Sequence, residues 1–181
     1  MTSPHAAQLL SVNPMVAVAD GFLAPETCSQ LIDLARLRLS RSQIGSDDAM
    51  LEESAARTGS DAHLAPAECS EAAAVMQRVA ALVALPLSHG EGLSVLHYGP
   101  GQAFTAHLDG IWSGADAAAQ SAFAADGGQR LFTAILYLNT VAAGGGTVFP
   151  KLGLRIPPLE GRLLLFANTS AGERDACPRS V

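Results

Sequence analysis

No apolar run in the chain approaches the roughly 18 residues that a membrane-crossing helix needs. The first twenty residues hold neither a basic stretch nor an unbroken apolar segment of the kind a secretory leader carries. Both absences predict a protein that stays off membranes and in the cytoplasm. Cationic charge is also short: eleven Lys and Arg stand against seventeen Asp and Glu, for a net charge of −6. That balance argues against a nucleic-acid backbone as partner. Cysteine is sparse, with Cys28, Cys69 and Cys177 showing no CxxC or other metal-ligand spacing. An odd count without a leader predicts reduced thiols in a cytosol, with Cys28 and Cys69 acting as small buried hydrophobes. A phosphate-cradling loop is missing too, since the run Gly144-Gly145-Gly146 sits in no strand–GxxxxGK[ST]–helix pattern. Histidine is absent after residue 107: none of the five follows Asp109.

What is present is one domain's worth of chain. Its 181 residues, 49% hydrophobic and 15% charged, fit a globular protein able to bury a core. Residues 15–22 alternate like a first strand, and Pro25 sits at the first-turn position of a helix. Cys28, Leu31, Ile32 and Ala35 then form an apolar stripe at helical spacing. Residues 40–66 are polar and read as a long excursion. A second helix follows Pro66, with Ala72, Val75, Met76, Val79, Leu82 and Val83 on one face, and Pro86 stops it. From Leu93 onward short strands and glycine turns take over. Helices first and strands later predict an α+β chain: a single domain over 1–181, with a helical part at 1–88 and a strand-rich part at 89–181.

The stretch LSVLHYGPGQAFTAHLDGIW, residues 93–112, organises the rest. On a strand, His107 and Asp109 point the same way and Leu108 the other. One imidazole and one carboxylate converging on a point are two-thirds of the 2-His-1-carboxylate set that holds iron(II) and leaves positions open for reactants. His97 alternates to the face opposite Tyr98, and His5, His63 and His89 sit in polar or terminal contexts. Leu131, Thr133, Ile135 and Tyr137 share one strand face. Arg130 is either a cation in the substrate cleft or a solvated strand end. The glycine run permits a tight turn with positive φ.

Tyr98-Gly99-Pro100-Gly101-Gln102, the triplet at 107–109, GGQRLFTAILYLN (127–139), GGGTVFPKLGLRIPP (144–158) and EGRLLLFAN (160–168) occur in this order and spacing. Together they resemble the prolyl 4-hydroxylase family of Fe(II)/2-oxoglutarate dioxygenases, from near Asn13 to Val181. The resemblance implies a double-stranded β-helix, a jelly roll, supported by the N-terminal helices. It implies His107 and Asp109 as metal ligands, and Tyr98, Tyr137 and Thr147 as residues lining the 2-oxoglutarate pocket. It further implies Fe(II) as cofactor, 2-oxoglutarate converted to succinate and CO2, ascorbate as the rescuing reductant, and a peptidyl-proline or small-molecule substrate. Arg57-Thr58-Gly59-Ser60 is similar to a family Arg-Thr-Ser position. The family's pattern continues past Pro178-Arg179-Ser180-Val181. Its second metal-binding His and the basic residue that anchors 2-oxoglutarate are expected in that continuation, together with the final strands. The 181-residue form is therefore expected to be inactive. Two other classes compete: a non-catalytic jelly-roll binding module, and a zinc hydrolase built on His107, Asp109 and a further histidine.

Overall fold

The computed structural model describes residues 7–45, 51–53, 56–110 and 129–169. The chain packs as two compact units, one formed by Met1–Pro25 with Ala106–Val181 and the other by Glu26–Thr105.

The first unit is built on a four-stranded antiparallel sheet. Its order is β1 (Gln8–Val12), β2 (Met15–Ala19), β11 (Leu163–Ala167), β8 (Phe132–Leu136). β11 lies between two neighbours and all five of its residues, LLLFA, are buried. A strand covered on both faces reads as a continuous apolar run rather than an alternation. Cross-strand register sets Val16 and Thr133 beside Phe166, and Val18 and Ile135 beside Leu164. Those residues share one face, which also carries Tyr137 just past β8 and Asn168 just past β11.

A short hairpin of β9 (Thr147–Phe149) and β10 (Leu154–Ile156) packs against this face. Thr147 and Phe149 alternate to the same side, opposite Ile156 and Leu154. Phe149 meets Phe166 edge-to-face, ring centroids 5.1 Å apart and planes at 81°, a favoured aromatic geometry. The two layers thus close around Val16, Val18, Tyr137, Phe149, Ile156, Leu164 and Phe166. The preceding glycine run makes the turn: Gly144 and Gly145 have φ of 74° and 66°. At Gly146 an added Cβ would fall 2.5 Å from the Ile156 carbonyl oxygen.

The second unit holds α1 (Pro25–Arg36, its first residue in the other unit), α2 (Ser70–Val83) and the sheet β3 (Ser40–Arg41), β6 (Ser60–Leu64), β7 (Leu93–His97). β4 (Gln43–Gly45) and β5 (Leu51–Glu53) pair separately. The expected helices are present. Cys28, Leu31 and Ala35 are buried on α1, whereas on α2 only Ala72 and Val75 are buried and Leu82 is exposed. Both Cys28 and Cys69 are buried.

Two features differ from the sequence expectation. The part read as helical, 1–88, also contains six strands, two of which complete the sheet of the first unit. The polar segment 40–66 is not a plain excursion, because Ala62 and Leu64 alternate into the interior of β6 while its other residues keep the segment polar. The alanine-rich segment 115–126, expected to loop out between the metal segment and the next strand, and the tail after Asn168, expected to be irregular, lie outside the described residues, Thr169 apart. Among the described residues, no helix is long and apolar enough to cross a membrane.

Candidate metal centre

His107 and Asp109 lie in an irregular segment after the isolated bridge Arg57–Phe104, not on a ladder strand as the sequence suggested. The two side chains nevertheless converge. His107 Nε2 stands 3.0 Å from Asp109 Oδ1, and Leu108 is exposed. Arg130 donates from Nη1 to the Asp109 backbone carbonyl at 2.7 Å. This bond ties Arg130 to the main chain of Asp109 and counts against a simply solvated strand end.

Burial works against the Asp109 anion. Hydrogen bonds from His107 and Thr133, with the charges of His107 and Arg130, outweigh burial and hold its pKa below the usual carboxylate value. Asp109 is therefore anionic at neutral pH. Thr133 is carried to it by β8, whose ladder with β11 fixes the inward face. The Thr133 hydroxyl oxygen in turn accepts from Asn168 Nδ2 at 2.9 Å. Asn168 was not foreseen as part of the site. Its only sequence signal is a polar residue closing an apolar strand.

Tyr137 and Thr147 are brought together from facing layers, the tyrosine hydroxyl donating to Thr147 Oγ1 at 2.7 Å. Burial pushes the Tyr137 pKa up, against the smaller opposing effects of Thr147 and Arg162, so the phenol is a donor throughout the neutral range. Tyr98 belongs to the second unit, immediately after β7. Its ring lies against Gly59, where an added Cβ would stand 2.7 Å from Cε1. The Arg-Thr-Gly-Ser segment therefore supports Tyr98 through the residue that lacks a side chain. Phe149 is core. His63, His89 and His97 are exposed.

The pair offers one nitrogen and one anionic oxygen to a common point, a donor set that suits iron(II). Among the described residues no group of three or more His, Cys, Asp or Glu converges. The residues present fit two positions of an iron(II) site.

The 2OG-Fe(II) oxygenase superfamily model matches residues 93–179. Probable prolyl 4-hydroxylase 6 of Arabidopsis thaliana is 34% identical over 179 residues, covering 88% of this chain and 60% of that protein. Prolyl 4-hydroxylase 2 of the same plant is 30% identical over 198 residues, covering 97% of this chain and 63% of its own length. The chain thus spans about three-fifths of the length of the curated relatives it matches. A viral collagen prolyl hydroxylase from Paramecium Bursaria Chlorella virus-1, solved as a 2OG complex, superposes with a TM-score of 0.66 at 24% identity. That alignment covers 92% of this chain and 84% of the viral one. The likeness establishes the α+β jelly-roll fold. Residues 93–179 are thus similar to the 2OG-Fe(II) oxygenase superfamily. Within that superfamily, the curated relatives that the chain resembles are prolyl 4-hydroxylases.

Proposed function

We propose that the protein is an Fe(II)- and 2-oxoglutarate-dependent dioxygenase that hydroxylates a peptidyl proline, with a small molecule as the alternative substrate on the same scaffold. His107 Nε2 and the Asp109 carboxylate hold the iron. When bound, the metal with its cosubstrate supplies oxygen activation, converting 2-oxoglutarate to succinate and CO2. The observation that carries this reading is the 3.0 Å approach of His107 Nε2 to an Asp109 carboxylate kept anionic inside the fold. A lone buried carboxylate would protonate instead.

The protein's own groups have separable tasks. Asp109 supplies negative charge to the cation, and His107 supplies a neutral nitrogen once its bond to Asp109 is exchanged for the metal. Tyr137 donates to Thr147, which leaves the Thr147 proton available to a cosubstrate carboxylate. Tyr98 is a further cosubstrate donor that the resemblance implies. Apolar Phe149, Phe166 and Leu164 exclude water from the interior between the layers. Ascorbate serves as the rescuing reductant and the cytoplasm as the compartment.

The test is 2-oxoglutarate binding with and without Fe(II), a readout that needs no turnover by a form expected to be inactive. Binding that needs Fe(II), and is lost in His107→Ala and Asp109→Ala, supports the reading. Cosubstrate binding that ignores the metal would instead indicate a binding module.

A further inference from the structure

Four strand ends of the first unit meet at Arg162. Asp20 is the first residue after β2, Tyr137 the first after β8, Pro157 the first after β10, and Arg162 the last before β11. Tyr137 therefore lies one step beyond its own strand, and what holds it there is a β-bulge. The Tyr137 N–H donates to the Arg162 carbonyl and the Gly161 N–H to the Tyr137 carbonyl, both at 2.9 Å. Two residues of one strand thus oppose one of the other. The Arg162 N–H closes the preceding turn on the Leu159 carbonyl at 3.0 Å. Gly161, third in that turn, has a φ of 76°, which glycine adopts without strain. An added Cβ there would collide with the Leu23 carbonyl oxygen.

The Arg162 side chain ties this bulge to the rest of the unit. Nε and Nη2 donate to the two Asp20 carboxylate oxygens at 2.5 and 3.0 Å, and Nη1 donates to the Pro157 carbonyl at 3.1 Å. A fork on one carboxylate fixes the plane of the guanidinium. Pro157 follows Ile156, the residue paired with Thr147 in the β9–β10 hairpin. One residue thus reaches toward both members of the 2.7 Å bond from Tyr137 to Thr147. Its carbonyl holds the tyrosine main chain, and its guanidinium holds the hairpin that carries the threonine. Many side chains could follow Gly161 and close the same turn, so the fork is an addition that turn formation does not require.

We propose that Arg162, braced by Asp20, is a positioning residue that sets the Tyr137 hydroxyl on Thr147 and so shapes the cosubstrate pocket. The proposal rests on the reading of Tyr137 and Thr147 as residues that line that pocket. A hydrogen bond weakens steeply once its length or angle leaves the optimum. A small drift of either the end of β8 or the hairpin would therefore part the two hydroxyls, and Arg162 restrains both. The role is geometric rather than one of charge. Lysine would keep the cation, but its single nitrogen cannot span two carboxylate oxygens and the Pro157 carbonyl in one plane.

The experiment uses the full chain with Arg162→Leu, Arg162→Lys, Tyr137→Phe and the Arg162→Leu/Tyr137→Phe double variant, each checked by thermal melting. Two readouts are taken: the 13Cζ resonance of Tyr137 in metal-free protein, and 2-oxoglutarate affinity by titration with Mn(II) present. The chain has two tyrosines, so Tyr98→Phe assigns the resonance. Arg162→Leu and Arg162→Lys are each expected to displace the resonance and to weaken 2-oxoglutarate about tenfold, no more than Tyr137→Phe does. The double variant is expected to be no weaker than Tyr137→Phe alone, because the two act on one path. Where Arg162→Leu fails to fold, Arg162→Lys decides. A wild-type resonance in Arg162→Lys would overturn the proposal, since charge would then suffice. So would losses that add in the double variant, or full affinity in the Arg162 variants when Tyr137→Phe loses it. If Tyr137→Phe leaves the affinity unaltered, or the unaltered protein binds no 2-oxoglutarate, the pocket reading falls, and the resonance alone decides the positioning role.

Discussion

Replacing Tyr137 with Phe removes a single oxygen and separates a core tyrosine from one that meets the cosubstrate. The ring is 7% exposed and stays packed between the layers, so no cavity forms. What is lost is the 2.7 Å donation to Thr147 Oγ1. A neutral hydrogen bond of this kind contributes about 0.5–1.5 kcal/mol. For a chain of this length a loss near the middle of that range lowers Tm by about 2–4 °C. A second effect is expected if Tyr137 and Thr147 together hold a cosubstrate carboxylate. Losing a hydrogen bond that serves a charged group costs about 1.5–3 kcal/mol, equivalent to about a ten- to a hundredfold rise in the constant for 2-oxoglutarate. Both quantities are read on one preparation, by calorimetry and by titration of 2-oxoglutarate with Mn(II) present. A lowered Tm with an unchanged constant would refute the cosubstrate role and leave Tyr137 as a core residue.

Tyr98→Phe is expected to raise the 2-oxoglutarate constant by about tenfold or more; an unaltered constant in the same assay would count against a cosubstrate role for Tyr98. Asp20→Asn removes the charge and one of the two acceptor oxygens that Arg162 meets at 2.5 and 3.0 Å, but Asp20 is exposed, so urea unfolding should show a loss of only about 0.2–1 kcal/mol. Asp109 has a depressed pKa in the fold, so its ionisation stabilises the protein above the ordinary carboxylate value of about 4, and that stability is lost as pH falls toward the lower folded value. The stability gap between the unaltered protein and Asp109→Asn should therefore narrow on acidification, and a gap that stays constant from neutral pH down through that range would contradict the sign.

Local regularities made part of this site legible in the sequence. The i, i+2 spacing of His107 and Asp109 flagged the pair that stands 3.0 Å apart, although no strand runs through it, and alternation along β8 assigns Thr133, Ile135 and Tyr137 to a common face. Helix α1 was readable because Cys28, Leu31 and Ala35 recur at its turn. The pairing of β11 with β2 was not, since it joins residues more than 140 positions apart and no local pattern encodes it. β6 was hidden because two buried side chains, Ala62 and Leu64, are too few to mark a strand in polar surroundings. Arg130 carries one charge whose target, the Asp109 carbonyl, is backbone and leaves no trace in the sequence. Asn168 looks like a strand terminus until β8 is placed beside it.

The inner face of β8 carries two polar groupings separated by an apolar residue. Thr133 serves Asp109, Tyr137 serves Thr147, and Ile135 lies between them. Four residues of extended chain put the Cα atoms of Thr133 and Tyr137 about 13 Å apart. Groups that far apart with no shared partner perturb stability independently, within about 0.3–0.5 kcal/mol. In the metal-free, cosubstrate-free protein, Thr133→Val and Tyr137→Phe should therefore add in urea unfolding. A ligand reaching from the metal to the tyrosine changes the expectation, because both ends then act on one bound molecule. The same two substitutions should become non-additive when 2-oxoglutarate binding is measured with Mn(II) present. Strict additivity in both states would mean that no single ligand spans the two groupings, and the pocket would have to be drawn without Tyr137.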